Sequence, residues 1–152
     1  MKTRVLFLCT SNRARSQMAE ALVNYDLGDR FEAFSAGTVP KTPHPLALTV
    51  LAELGIEHPT ARSKHMDEFA GQSFDHVITL CDNANQICPV FIGGVRRAHI
   101  GFDDPDQATG TEEEVIAVFR RVRDEIRAKV EEHLTEGGED VLGLKLDLGG
   151  LK

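Results

Sequence analysis

Cys9-Thr10-Ser11-Asn12-Arg13-Ala14-Arg15-Ser16 places a cysteine and an arginine with five residues between them, directly after the apolar run Val5-Leu6-Phe7-Leu8. A loop of this kind between a strand and a helix turns its backbone amides, and the N-terminus of the helix, toward one concave anion site. Arg15 adds a planar guanidinium whose fork matches two oxygens of a tetrahedral oxyanion. The same amides and helix dipole favour the thiolate of Cys9 over the thiol. Ser16, beside the arginine, can donate a hydrogen bond to that thiolate. The stretch therefore reads as a nucleophile beneath an oxyanion site, with Thr10, Ser11, Asn12, Arg13, Ala14, Arg15 and Ser16 as its lining.

Three further residues carry chemistry. Cys81 and Cys88 are separated by six residues, and Asp104-Pro105 follows late in the chain. The two cysteines can be a redox pair or small buried hydrophobes. A zinc site is the weaker reading, because the spacing is not the short one of zinc sites and His65, His76 and His99 form no ligand pattern. Neither a metal nor another cofactor is expected. Asp104 is the candidate general acid, a role that requires it to carry a proton.

The rest of the composition restricts partners and location. At 152 residues the chain is one domain in size, with 41% apolar and 27% charged residues. Its net charge of −7 repels a phosphate backbone, which argues against nucleic acid and requires any oxyanion to find a local positive site. The apolar run before Cys9 is too short for a secretion signal or a membrane span. The three cysteines are thus expected in a reducing compartment, the cytoplasm, where thiols are more often catalytic than structural.

The elements that must position these groups alternate between strands and helices. Val5–Leu8 is a continuous apolar run typical of a central parallel strand, and Val77-Ile78-Thr79-Leu80 reads as another buried strand; each is followed by a cysteine. Phe31–Ser35 reads as another strand, and His99–Phe102 as a short fourth one before Asp103-Asp104-Pro105. A helix with Met18, Ala21, Leu22 and Tyr25 on one side is expected after the Cys9 loop, with Ser16 as N-cap and Gly28 closing it. Three prolines between Pro40 and Pro45 mark a loop, and Leu46, Val50, Leu51 and Leu54 a second helix ended by Gly55. Val115, Val118, Phe119, Val122, Ile126, Val130 and Leu134 form the core stripe of a long helix over 112–134. The pattern predicts an α/β fold: three layers around a four-stranded, mostly parallel, doubly wound sheet. Cys9, Cys81 and Asp104 then all fall beyond the carboxyl ends of strands, where such sheets hold their sites. Residues 1–135 form the catalytic domain in this reading, and the Gly-rich 136–152 a flexible tail.

These residues together resemble a known family. Cys9-x5-Arg15-Ser16, Ser35-Ala36-Gly37 and Asp104-Pro105 are similar to the low-molecular-weight protein tyrosine phosphatases. Cys81-x6-Cys88-Pro89, Gly101-Phe102-Asp103-Asp104-Pro105 and Arg121-Val122-Arg123-Asp124-Glu125-Ile126 resemble the thioredoxin-coupled arsenate reductases within that group. The similarity spans roughly Val5 to Leu134. Two features favour the reductase over a phosphatase: Asp106 stands where the phosphatases usually carry an aromatic residue, and the phosphatases need no cysteine pair. Ser11 in place of a common glycine, and Ala14 in place of a common cysteine, depart from the family loop.

The resemblance implies a mechanism and partners. Arsenate, held by Arg15 and the loop, is attacked by Cys9. Cys81 then takes the Cys9 sulfur and releases arsenite, Cys88 takes Cys81, and thioredoxin reduces the resulting disulfide. A monomer without nucleic-acid or membrane contacts is expected. Asn12, Glu20, Ser35 and Lys64 match positions that brace the loop in relatives, where a monovalent cation is sometimes bound, and Lys64 can replace that cation. If residues 82–88 are helical when reduced, Cys81 and Cys88 lie about 10.5 Å apart along the axis, so the segment must partly unwind to form their disulfide. The competing readings are a tyrosine phosphatase, and an anion-binding or thiol-sensing module without turnover.

Overall fold

In the computed structural model, which describes residues 2–81 and 91–135, the chain runs through β1 (Thr3–Cys9), α1 (Arg15–Asp26), β2 (Phe31–Gly37), α2 (Pro45–Ala52), β3 (Phe74–Thr79), β4 (Gly94–His99) and α3 (Glu112–Thr135). Single 3₁₀ turns lie at Met66–Phe69 and Pro105–Gln107. Val5–Leu8 is apolar without alternation because β1 lies inside the sheet and buries both faces. The order is β2-β1-β3-β4, and every pairing is parallel. The expected four-stranded α/β sheet is present, and it is wholly parallel.

Val5 and Phe7 point to the face that carries α1, α2 and α3, where Met18, Leu22, Val50, Leu51, Phe119, Val122, Ile126 and Val130 pack. Leu6 and Leu8 point the other way, onto Ala36, Phe69, Phe74, Val77 and Phe91. The order reverses about β1. The crossover through α1 leads to β2 on one side, and β3 lies on the other. A crevice opens at such a switch point beyond the strand ends, and Cys9 is the last residue of β1.

Three expectations about elements need correction. The fourth strand is Gly94–His99, ahead of the predicted 99–102. It is an edge strand of alternating half-buried and exposed residues, with Arg96 and Arg97 inside it, so it lacks the apolar run that betrays a central strand. Of the predicted 99–102 only His99 belongs to the strand; residues 100–102 follow it, with the Ile100 amide on the Thr79 carbonyl. Ser16 does not cap α1: Ala14 is the N-cap, without a side-chain hydrogen bond, and the Ser16 hydroxyl is used elsewhere. Helix α1 ends at Asp26, before Gly28, whose lack of a side chain permits close approach to the Asn24 carbonyl. Gly55 does end the second helical stretch in the left-handed region, at φ 80°. Residues 136–152 lie outside the described residues, as do Cys88 and the 82–88 segment. Among the described residues no helix is long and apolar enough to cross a membrane.

Long α3 is fastened by charge, from its middle turns, to the ends of α2 and α1. Arg123 is buried and donates to the Val50 carbonyl and to Glu53 at the end of α2. Arg127 grips Asp26 at the end of α1 with two hydrogen bonds of 2.7 Å. Glu131, one turn further on, faces the same Asp26, and its buried Oε2 has no hydrogen-bond partner among the described residues. Burial, and then the Asp26 carboxyl, push Glu131 up to about 8. Burial acts against ionised Asp26 too, but the hydrogen bonds from Arg127 and Glu131 outweigh it and hold Asp26 below its ordinary value. Because Glu131 is raised in the folded protein, its contribution to stability is complete below its ordinary 4.5 and is lost as pH rises through about 8. Glu131→Gln is therefore expected to raise the melting temperature near pH 9 and to leave it nearly unchanged near pH 4.5; equal shifts at both pH values would contradict the pairing.

Candidate active site

Residues 10–14 close a tight loop between the last residue of β1 and the first of α1. Asn12 adopts φ 50°, the only non-glycine residue in the left-handed region among those described. Asparagine tolerates that region better than most residues, but it still needs holding. Four contacts hold it. Its carbonyl accepts from Gln17 Nε2 at 2.9 Å and from Ser63 Oγ at 2.7 Å. Its Oδ1 accepts the Lys64 amide at 2.9 Å, and its Nδ2 donates to Ser16 Oγ at 2.7 Å. Behind the loop, Gly37 lies so close that a Cβ there would collide with the Thr10 and Cys9 carbonyls, and the amides of Thr38 and Val39 both donate to Thr10.

Cys9 is buried, its Sγ 2.9 Å from Ser16 Oγ. Since Asn12 Nδ2 already donates to that oxygen, the Ser16 proton is left to point at the sulfur, the orientation that stabilises a thiolate. Arg15 is also buried. Its Nη1 donates to the carbonyls of Leu80 and Phe102, each at 3.2 Å, and its Nη2 lies 3.4 Å from Asp104 Oδ2. One guanidinium thus joins the start of α1 to the end of β3 and to the loop after β4. Thr10 Oγ1 is buried within the loop and has no partner among the described residues, a donor suited to an oxyanion.

The register places the second thiol. Leu8 pairs with Thr79, and the Leu80 amide donates to the Leu8 carbonyl, so Cys81 follows the strand beside the one that ends in Cys9. Neighbouring strands lie about 4.8 Å apart. Cys81 is fully buried, one residue beyond the carbonyl that Arg15 holds. Asp104 accepts the Asp106 amide at 3.0 Å and heads the Pro105–Gln107 turn. Cys9, Arg15, Ser16, Asn12, Cys81 and Asp104 therefore gather at the carboxyl end of the sheet.

The side chain of Arg13 turns neither into the loop nor to solvent. It binds Asp106 Oδ2 at 3.1 Å and the Thr42 carbonyl at 2.9 Å. Asp106 is accordingly a paired carboxylate, and His44 Nε2 lies 3.4 Å from its other oxygen. On the opposite side, Ser35 donates to Glu20 Oε1, and Lys64 Nζ lies 3.9 Å from the same oxygen while donating to the Arg62 carbonyl at 2.7 Å. Burial, ahead of the smaller effects of nearby charges, holds Lys64 below the ordinary lysine value. Two residues with no signal in the sequence complete this cluster. Gln17 bridges Asn12 and Arg62. His58 meets Gln17 Oε1 at 3.1 Å and Glu20 Oε2 at 3.7 Å, and burial lowers its proton affinity. Among the described residues no group of three or more His, Cys, Asp or Glu side chains could hold a metal ion.

Comparison with known proteins fits this geometry. Residues 4–142 match the family described as low molecular weight phosphotyrosine protein phosphatase, and the chain belongs to it. Among its relatives, an arsenate reductase of Halalkalibacterium halodurans is 43% identical over 129 residues, which are 85% of this chain and 93% of that protein. A solved arsenate reductase in the phosphate-binding state superposes with a TM-score of 0.75 at 28% identity, over 90% of this chain and 98% of that one. A thioredoxin-dependent arsenate reductase of Corynebacterium glutamicum superposes with a TM-score of 0.60 at 27% identity, over 86% of this chain and 61% of the other.

Replacement of Arg15 by lysine tests the oxyanion site directly. A point charge cannot reproduce a planar fork that spans two carbonyls and Asp104, so phosphate affinity is expected to fall by about two orders of magnitude. The check is calorimetric titration with inorganic phosphate, alongside a melting curve that reports the fold. Affinity within a few-fold of the parent protein would remove Arg15 from the site.

Proposed function

We propose that the chain reduces arsenate to arsenite, with Cys9 as nucleophile and Cys81 and Cys88 as the thiol relay that thioredoxin regenerates. The observation that carries this reading is the placement of a second buried thiol, Cys81, just after the strand that pairs with the nucleophile's own and directly after the carbonyl held by Arg15. Hydrolysis of a phosphate ester has no use for that thiol. Reduction requires one.

The steps balance as follows. Cys9 thiolate attacks arsenic, held by Arg15 and by the amides of residues 10–16, and an oxygen leaves as water with a proton from Asp104. Cys81 thiolate attacks Cys9 sulfur; the electron pair of the sulfur–arsenic bond stays on arsenic, which departs as arsenite. The Cys9–Cys81 disulfide is opened by Cys88, giving Cys81–Cys88 and a free Cys9, and the two thiols of thioredoxin reduce that bond while becoming a disulfide. Asn12, Glu20, Ser35 and Lys64 keep the loop in shape throughout, with the Lys64 ammonium standing where a monovalent cation would otherwise sit beside Glu20. A reaction that draws on thioredoxin belongs in the reducing cytoplasm.

Purified protein is expected to turn over arsenate only when thioredoxin, its reductase and NADPH are present. Cys88→Ser should allow a single turnover and stop as the Cys9–Cys81 disulfide, identified by mass spectrometry of peptides. Hydrolysis of aryl phosphates with no arsenate turnover would identify a phosphatase instead. Added potassium should leave the melting temperature unchanged, and a potassium-dependent rise would remove Lys64 from its assigned role.

A further inference from the structure

The residues around Asp106 have no role in the chemistry above, yet they join four parts of the molecule. Arg13, in the nucleophile loop, donates from Nε to Asp106 Oδ2 and from Nη1 to the Thr42 carbonyl, while its own carbonyl accepts the His44 amide at 2.9 Å. The His44 ring has its tautomer fixed, because Nδ1 accepts the Leu46 amide at 3.0 Å. The proton therefore sits on Nε2, which faces Asp106 Oδ1 at 3.4 Å. The same ring packs on Phe119 of α3, with centroids 4.6 Å apart. Both oxygens of Asp106 are thus engaged, and the Asp106 amide in turn fixes Asp104 Oδ1. The side chains of Arg13, His44 and Asp106 are each less than a third exposed, so solvent screens their pairing only in part.

We propose that Arg13, Asp106 and His44 form a clasp that selects small inorganic oxyanions over phosphate esters. The proposal rests on the reading of the Cys9 loop as an oxyanion site. A general acid has to reach the oxygen that leaves. Whatever that oxygen carries must therefore pass along the turn that bears Asp104, and the clasp binds this turn to the nucleophile loop two residues further on. Water passes easily. An aryl or peptidyl group requires the turn to lift, which breaks a charge-assisted pair and leaves Asp106 facing His44 alone. Discrimination arises as a cost imposed on the unwanted ligand, without a new contact to the preferred one. Asp106 and Arg13 are in this sense specificity-determining residues that act through the position of Asp104.

The test uses the full chain and two variants, Arg13→Ala and Asp106→Asn, each checked for a native melting profile. Affinities for inorganic phosphate and for phenyl phosphate are measured by calorimetry, which needs no turnover. In each variant the phenyl phosphate affinity relative to phosphate is expected to rise about tenfold, within the range that pocket exclusion supplies. Where aryl phosphate hydrolysis is detectable, its kcat/KM should rise relative to that for arsenate. Parallel loss for both ligands, as a merely structural role would give, overturns the clasp. So does an unchanged ratio in Arg13→Ala, whose small side chain leaves the turn unlatched even if Asp106→Asn fails to fold. Failure of the parent protein to reduce arsenate would count against the proposed function and leave the affinity ratio to judge the clasp independently.

Discussion

The burial of a single guanidinium governs how this molecule is put together. Arg15 is 2% exposed, and an unpaired cation at that depth would cost several kcal/mol. Two backbone carbonyls and one carboxylate meet the charge, and they come from the residue after β3, from the loop after β4 and from the head of the turn that follows. The requirement to compensate one charge thus fixes where three segments from different parts of the chain stop. It also explains why the two thiols become neighbours: Leu80, whose carbonyl Arg15 engages, is followed at once by Cys81. With Nη1 spent on carbonyls, the Nη2 side of the fork toward Asp104 is where an oxyanion would compete with that carboxylate. The site is preorganised for an anion and holds an internal one in reserve.

The elements that create this arrangement were legible in the sequence where burial was complete on both faces. Val5–Leu8 and Val77–Leu80 could only be central strands, and their parallel pairing followed from the helices between them. β4 escaped because an edge strand with Arg96 and Arg97 carries no apolar run, and its pairing with β3 is decided by register. The reading of Ser16 as a helix cap failed for a related reason. The same hydroxyl satisfies two grammars, cap and thiolate donor, and only the positions of Asn12 and Cys9 settle which one applies.

The site shows the same division. Cys9, Arg15, Cys81 and Asp104 were recognisable by type and by position after strands. The supports were not. Gln17 and His58 are single polar residues 41 positions apart, and nothing local marks them as partners. Asn12 matched a bracing position in the sequence, but its left-handed backbone and four hydrogen bonds emerge only when residues 62–64 fold against the loop. Asp106 stood out in the sequence only for replacing an aromatic residue. Its pairing with Arg13 and its contact with His44 emerge only in the folded chain, and in the proposed clasp such a paired carboxylate excludes by holding the turn in place.

That pairing also resolves the conflict between a net charge of −7 and an anionic substrate. A strongly basic cleft would collect every phosphate ester and nucleotide in the cell. Here each arginine of the loop is matched with one carboxylate, Arg15 with Asp104 and Arg13 with Asp106, so the resting site carries little net positive charge. An oxyanion gains entry only if it can use the loop amides, the Thr10 hydroxyl and the guanidinium together, and so offset the loss of the Arg15–Asp104 contact. Those donors are fixed by the backbone, so the gain depends on how closely the ligand matches a small tetrahedron. Shape thereby does the selecting that long-range attraction does elsewhere, and the surrounding acidic surface suppresses the less well-fitted anions at a distance.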